Sequence, residues 1–152
     1  MEKVSLMIVA DDCTGCHACE VACKQEHGIG VGPRLIRVIE NSPVYIPVYC
    51  HHCAKPPCGD ACPVEAITRN GQGIVLINEE LCIGCRACVD ACPFGAMQYD
   101  EDRDLAVKCG LCIDRLQAGE EPACKKACPS HCILVGDMKG FSEEIDRRLA
   151  RR

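Results

Sequence analysis

Tryptophan is absent from this sequence, and only five aromatic side chains occur: Tyr45, Tyr49, Phe94, Tyr99 and Phe141. Aromatics normally supply much of the energy of a core, so some other agent has to organise this interior. A basic excess is also missing. Lys and Arg number 17 against 22 Asp and Glu, a formal charge of −5, which argues against nucleic acid as a partner. No stretch approaches the ~18 apolar residues of a membrane span. The N-terminal segment has no basic region or twin arginine, and its apolar run Val4–Ala10 is too short for a usual signal sequence. No nucleophile–base pair, phosphate loop or paired carboxylates stand out. No catalytic residue is expected.

Cysteine is what the chain has in excess, 17 in 152 residues. A short cysteine-rich chain is a secreted disulfide scaffold, a zinc protein or an iron–sulfur protein. Without a leader, and with an odd count, a reducing cytoplasm is the expected compartment. There, clustered cysteines more often bind metal than one another.

Sixteen of the cysteines fall into four groups. Group one is Cys13, Cys16, Cys19 and Cys23. Group two is Cys50, Cys53, Cys58 and Cys62. Group three is Cys82, Cys85, Cys88 and Cys92. Group four is Cys109, Cys112, Cys124 and Cys128. Cys132 stands alone. Groups one and three read C-x2-C-x2-C-x3-C; group two widens the middle gap to four residues and group four widens it to eleven. Alanine precedes the last cysteine of every group (Ala22, Ala61, Ala91, Ala127), and proline follows it in three (Pro63, Pro93, Pro129), Lys24 in the first.

Three cysteines at i, i+3 and i+6 curl a loop around one face of a cubane. The last step of four residues suits one face of a short helix, which carries the final cysteine away toward a second cluster, as in two-cluster bacterial ferredoxins. Gly15 and Gly84 permit unusual φ and close approach in their loops, so that amides can point at sulfur. Groups two and four read alone could be tetrahedral zinc knuckles. In groups one and three the third close cysteine has no role in such a site. The pattern therefore predicts four [4Fe–4S] clusters, ~16 irons in all. The histidines beside the cysteines (His17, His27, His51, His52, His131) are expected to pack or hydrogen-bond, because each quartet is already complete. Cys132 reads as a buried spare thiol that could replace a ligand or tune a cluster.

Strands are expected over Val4–Ala10, Arg34–Glu40 and Val44–Tyr49, the last an edge because of Pro47. Hairpins are expected at Ala66–Ile77 and Met97–Val107, and helices at Ala18–Gln25, Leu111–Ala118 and Ser142–Ala150. Short hairpins and helices serving cysteine loops make an α+β protein of ferredoxin-like modules. Two modules are needed. Pairing neighbours joins group one with two and three with four; nesting joins two with three and one with four. The Ala66–Ile77 hairpin, lying between groups two and three, favours nesting. The outer module then takes residues 1–45 plus 100–152 and the inner module 46–99, in one compact unit.

The chain resembles the four-cluster electron-transfer subunits of the dimethyl-sulfoxide reductase and formate dehydrogenase beta-subunit type. The resemblance runs from Val9 to Gly136 and rests on His52-Cys53-x-x-Pro56-Pro57-Cys58, on Lys108-Cys109-x-x-Cys112-x-Asp114-Arg115-Leu116, and on Gly119, Pro122-Ala123-Cys124 and Ala127-Cys128-Pro129. It implies crossed ligation. One cluster takes Cys13, Cys16, Cys19 and Cys128, a second Cys109, Cys112, Cys124 and Cys23. A third takes Cys50, Cys53, Cys58 and Cys92, and a fourth Cys82, Cys85, Cys88 and Cys62. The chain is shorter than larger relatives and is similar to compact members linked to hydrogenases or tungsten aldehyde oxidoreductases.

A [4Fe–4S] centre with four thiolates carries −2, and four of them take the formal charge from −5 to about −13. Lys24, Arg86, Lys108, Lys125 and Lys126 adjoin ligands and are candidates to offset it. With every iron position filled by cysteine, the chain is expected to relay electrons and not to catalyse alone. The resemblance implies a large catalytic subunit with a molybdenum or tungsten pterin. Beyond it lies a second donor or acceptor such as a ferredoxin, flavin subunit or hydrogenase. A free polyferredoxin carrier, a maturation accessory and a zinc-stapled scaffold are the competing readings.

Overall fold

The computed structural model describes residues 3–152. Regular elements are short because the cysteine loops between them take much of the chain. Strand β1 (Ser5–Ile8) runs into a 3-10 turn at Ala10–Asp12, and helix α1 (Ala18–Glu26) leaves the first cysteine loop. Strands β2 (Arg37–Asn41) and β3 (Val44–Val48) follow, then one-turn helix α2 (Pro57–Asp60). Strands β4 (Ile67–Arg69) and β5 (Val75–Ile77), helix α3 (Ala87–Ala91), and strands β6 (Gln98–Asp100) and β7 (Leu105–Val107) occupy the middle. Helices α4 (Ile113–Gln117) and α5 (Ala123–Ala127), strand β8 (Ile133–Gly136) and helix α6 (Met138–Ala150) complete the order.

Among the described residues the strands form four two-stranded antiparallel ribbons and no wider sheet. Three are hairpins. In β2–β3, Pro47 lies opposite Val38, a position it tolerates because a two-stranded ribbon has only edges. The fourth ribbon joins the two ends of the chain, pairing β1 with β8 from Ser5 opposite Gly136 to Ile8 opposite Ile133.

Two apolar cores form. One draws on both ends of the sequence: Leu6, Cys23, Leu35, Ile36, Leu111, Cys124, Cys128, Cys132 and Ile133, with Ile74 from the middle. The other gathers Cys58, Ile67, Val75, Cys88, Met97 and Ala106. Cysteine contributes to both, taking the place the missing aromatics leave.

Helices α1 and α5 pack together, as do α2 and α3. Buried Glu20 fastens α1 to β2. Its carboxylate accepts from the Val38 amide at 2.6 Å and pairs with His17 and Arg34, each at 3.2 Å. At the other end, Asp137 caps α6 by accepting from the Gly140 amide at 2.7 Å. Arg148 of α6 reaches Asp12 at 2.7 Å and the His131 carbonyl at 2.6 Å, holding the residue that precedes Cys13.

The expected elements are present, but the strands expected over Val4–Ala10 and Arg34–Glu40 are Ser5–Ile8, ending before the 3-10 turn, and Arg37–Asn41; there are three further differences. Helix α6 begins at Met138, not Ser142, because Asp137 and not Ser142 is its cap. The helix expected from Leu111 begins at Ile113, since Leu111 and Cys112 are left-handed at φ 58° and 48°. Strand β8 was not expected: its run is short and without alternation, and its partner β1 lies at the opposite end of the sequence.

Burial alone raises the Glu20 pKa, but the Val38 amide, His17 and Arg34 outweigh it and hold the carboxyl below its ordinary 4.5. A lowered folded-state pKa contributes stability that is present above about pH 4.5 and is lost as pH falls through the folded value. Glu20→Ala is expected to cost about 2 kcal/mol at neutral pH, since it strands a buried amide. The difference from wild type should shrink as pH drops below about 4.5 in anaerobic urea titrations.

Candidate iron–sulfur centres

The cysteine loops are shaped by residues in the left-handed region. Gly15 and Gly84 both have φ 68°, and the residue after the next cysteine repeats the conformation, His17 at 59° and Arg86 at 64°. Space as well as torsion requires glycine at position 84, where a Cβ would lie 2.6 Å from the Asp104 carbonyl oxygen. At position 15 a Cβ would overlap the Tyr45 ring. Each loop is therefore pressed against a ribbon, β2–β3 or β6–β7.

These turns aim amides at sulfur. The His52 amide donates to Cys50 Sγ at 3.4 Å and the Leu111 amide to Cys109 Sγ at 3.3 Å, each from a left-handed residue. The Ala66 amide donates to Cys62 Sγ at 3.3 Å. The left-handed residues His52 and Leu111 are not glycines, so nothing in the sequence marked them.

Three small cavities are lined by thiols and apolar side chains. Cys62, Cys82, Cys85 and Cys88 line one, with Val64 and Ile83. Cys50, Cys53, Cys58 and Cys92 line the second, with Phe94 and Met97. Cys13, Cys16, Cys19 and Cys128 line the third, joined by Cys132 and Ser130. Cys23, Cys109, Cys112 and Cys124 form a further set. Burial first, then the charges of Cys109 and Cys112, push the Cys23 thiol up to about 12, and burial with the same two neighbours raises Cys124. Cys16 and Cys85 are the exposed cysteines.

Helices connect the sets in pairs. Helix α1 carries Cys19 and Cys23 on successive turns, and α5 carries Cys124 and presents Cys128 at its end. Helices α2 and α3 do the same for Cys58 and Cys62, and for Cys88 and Cys92. A buried polar junction joins the two pairs. Lys108, 9% exposed, donates from Nζ to the Val75 carbonyl and, at 2.7 Å, to that of Cys109. It also lines the cavity of Cys50, Cys53, Cys58 and Cys92.

Of the other candidate cations, Lys24 binds the Gly30 and Gly32 carbonyls. Arg86 lies over the Tyr99 ring at 3.8 Å and pairs with Glu101. Lys125 pairs with Glu121, and Lys126 is exposed. The histidines pack and bond. His51 stacks between Tyr49 and Phe94, and His27 Nε2 lies 3.5 Å from Cys112 Sγ. His52 is 3% exposed and accepts at Nδ1 from the Val75 amide. Burial and then Lys108 bring its pKa down to about 3, so the neutral ring carries its proton on Nε2.

The donor set can be tested against the groups it might hold. Among the described residues, no three His, Cys, Asp or Glu side chains converge as they would on a single metal ion. Three of the quartets instead line cavities, as an inorganic cube with one thiolate per iron corner requires. His52 Nε2 is buried without a partner among the described residues. The residues fit [4Fe–4S] groups.

Fold and site together define a ferredoxin-type iron–sulfur protein. Residues 42–138 match the family described as a 4Fe-4S dicluster domain, and residues 10–26 match a 4Fe-4S binding domain. The B subunit of the anaerobic dimethyl sulfoxide reductase of Haemophilus influenzae is 36% identical over 150 residues, covering 88% of this protein and 73% of that one. The B subunit of the polysulfide reductase of Wolinella succinogenes is 36% identical over 151 residues, 92% of this protein and 79% of that one. An uncharacterized ferredoxin of Methanocaldococcus jannaschii is 42% identical over 127 residues, 84% of this protein and 69% of that one. The chain belongs to the 4Fe–4S dicluster family of iron–sulfur electron-transfer subunits, with four [4Fe–4S] clusters and no catalysis of its own.

Two outcomes follow from the thiols and from Lys108. Burial pushes Cys19 to about 12 and Cys88 and Cys109 to about 11, so protons compete with iron for the thiolates. Anaerobic reconstitution of the iron-free chain should therefore rise with pH between about 7 and 9, read from brown absorbance and bound sulfide. Lys108→Gln keeps hydrogen-bond donors but removes a buried charge. It should lower the midpoint potential of the nearest clusters, measured by EPR-monitored redox titration, and leave the others in place.

Proposed function

We propose that this chain relays electrons between a large catalytic oxidoreductase subunit bearing a molybdenum or tungsten pterin and a second redox partner. A ferredoxin, a flavin subunit or a hydrogenase is the class of that partner. Bound [4Fe–4S] clusters supply one-electron chemistry; the chain's part is to hold, order and shield them. The ligand sets of this reading are Cys13, Cys16, Cys19 and Cys128; Cys109, Cys112, Cys124 and Cys23; Cys50, Cys53, Cys58 and Cys92; and Cys82, Cys85, Cys88 and Cys62. The observation that carries it is the three cavities, each lined by three cysteines of one group and one from another or by three of group two and Cys92.

On this reading the sites run in a line. The set of Cys85 meets that of Cys53 through α2 and α3, the Lys108 junction leads on to Cys109, and α1 with α5 leads to the set of Cys16. The exposed ligands Cys16 and Cys85 then mark the two terminal clusters, where electrons enter and leave. The modules are nested, residues 1–45 with 100–152 outside 46–99. Because Met97 and Ala106 share the inner core, the inner module also takes in β7. Among the described residues no helix is long and apolar enough to cross a membrane; a reducing, cytoplasmic setting suits so many free thiols.

The relatives named as parts of reductases support a subunit, and the Methanocaldococcus ferredoxin supports a free carrier as the second reading. Anaerobic purification from the native source separates them. The subunit reading expects ~16 irons and as many sulfides per chain, with a large partner containing molybdenum or tungsten at fixed stoichiometry. A four-cluster chain that elutes alone at every ionic strength favours the carrier, and a colourless chain without inorganic sulfide overturns both.

A further inference from the structure

The last cysteines of groups two, three and four open the same turn. Three residues beyond each, the backbone is left-handed: Glu65 at φ 52°, Gly95 at 63° and His131 at 52°. The next residue is thereby driven inward. It is Ala66, Ala96 or Cys132, exposed by 1%, 4% and 3%. Two repeats place a methyl group there, and the third places a thiol. Cys132 Sγ lies 3.5 Å from Cys128 Sγ. The residue two beyond the cysteine differs in the same way: Val64, Phe94, then Ser130. Ser130 Oγ also lies 3.5 Å from Cys128 Sγ. Both side chains line the cavity of Cys13, Cys16, Cys19 and Cys128. Cys128 is therefore faced by two side-chain donors that Cys62 and Cys92 have no counterpart for in their repeats.

Once Cys128 is a thiolate it can only accept, so the hydroxyl and the thiol must donate. Donors to a ligand sulfur withdraw electron density and favour the reduced, more negative state of the cluster. We propose that Ser130 and Cys132 are tuning residues that raise the reduction potential of the one cluster held by Cys128. The proposal rests on the ligand sets given above. It makes Cys132 neither a spare nor a ligand.

The test uses the full four-cluster protein, purified anaerobically and titrated with EPR detection. Cys16→Ser and Cys128→Ser first identify the cluster. If they disturb different signals, the ligand sets fail and the tuning question is separated from that failure. If they disturb the same signal, Cys132→Ala and Ser130→Ala are each expected to keep the full iron content and to move that signal alone to lower potential, the double variant further. Cys132→Ser, which keeps a donor, is expected to stay near wild type. An unmoved or raised signal, or a shift shared by all four, overturns the proposal. Loss of about four irons from Cys132→Ala also overturns it, by making Cys132 a ligand.

Discussion

Thiolate coordination of inorganic cubes is the constraint from which the rest of this structure descends. With five aromatics and two small cores, the polypeptide has little else to bind its loops together. Metal-binding free energy is here folding free energy. The same groups that staple the chain load it with negative charge, and burying charge is costly without compensation. Amides supply much of that compensation, through left-handed turns that direct N–H groups at Cys50, Cys62 and Cys109. The turns recur because the requirement recurs.

Side-chain charge is used sparingly and in one place. Most cations beside the cysteines are occupied with carbonyls or carboxylates at the surface, where an ion pair contributes little. Lys108 differs by being buried between two cysteine sets, with Val75 shared between its ammonium and the His52 ring. A neutral imidazole and a charged ammonium on one strand residue make a compact polar seam in an otherwise apolar and sulfur-lined interior. That seam is where the two cores meet.

The cysteine arithmetic makes the chemistry legible in the sequence itself. Spacing of four after the third cysteine of each group announced the short helices, and the run Asn70–Gly73 announced the β4–β5 hairpin. What stayed hidden has physical reasons. Left-handed Glu65, Leu111 and His131 are imposed by the cysteines around them and run against their own preferences. Glu20 carries no local mark of its role; it is buried by partners 14 and 18 positions away. Strand β8 takes its only ladder from β1, more than 120 residues earlier. Local patterns report local structure; these features are set by contacts far off in sequence.

The pairing of β1 with β8 has a consequence for biosynthesis. Leu6 cannot find Val135, nor Asp12 its partner Arg148, until about 130 further residues have left the ribosome. The β4–β5 and β6–β7 ribbons close much earlier. Chain closure is thereby given an order: the ribbons of the middle can form from adjacent segments, and the β1–β8 ribbon around them closes later.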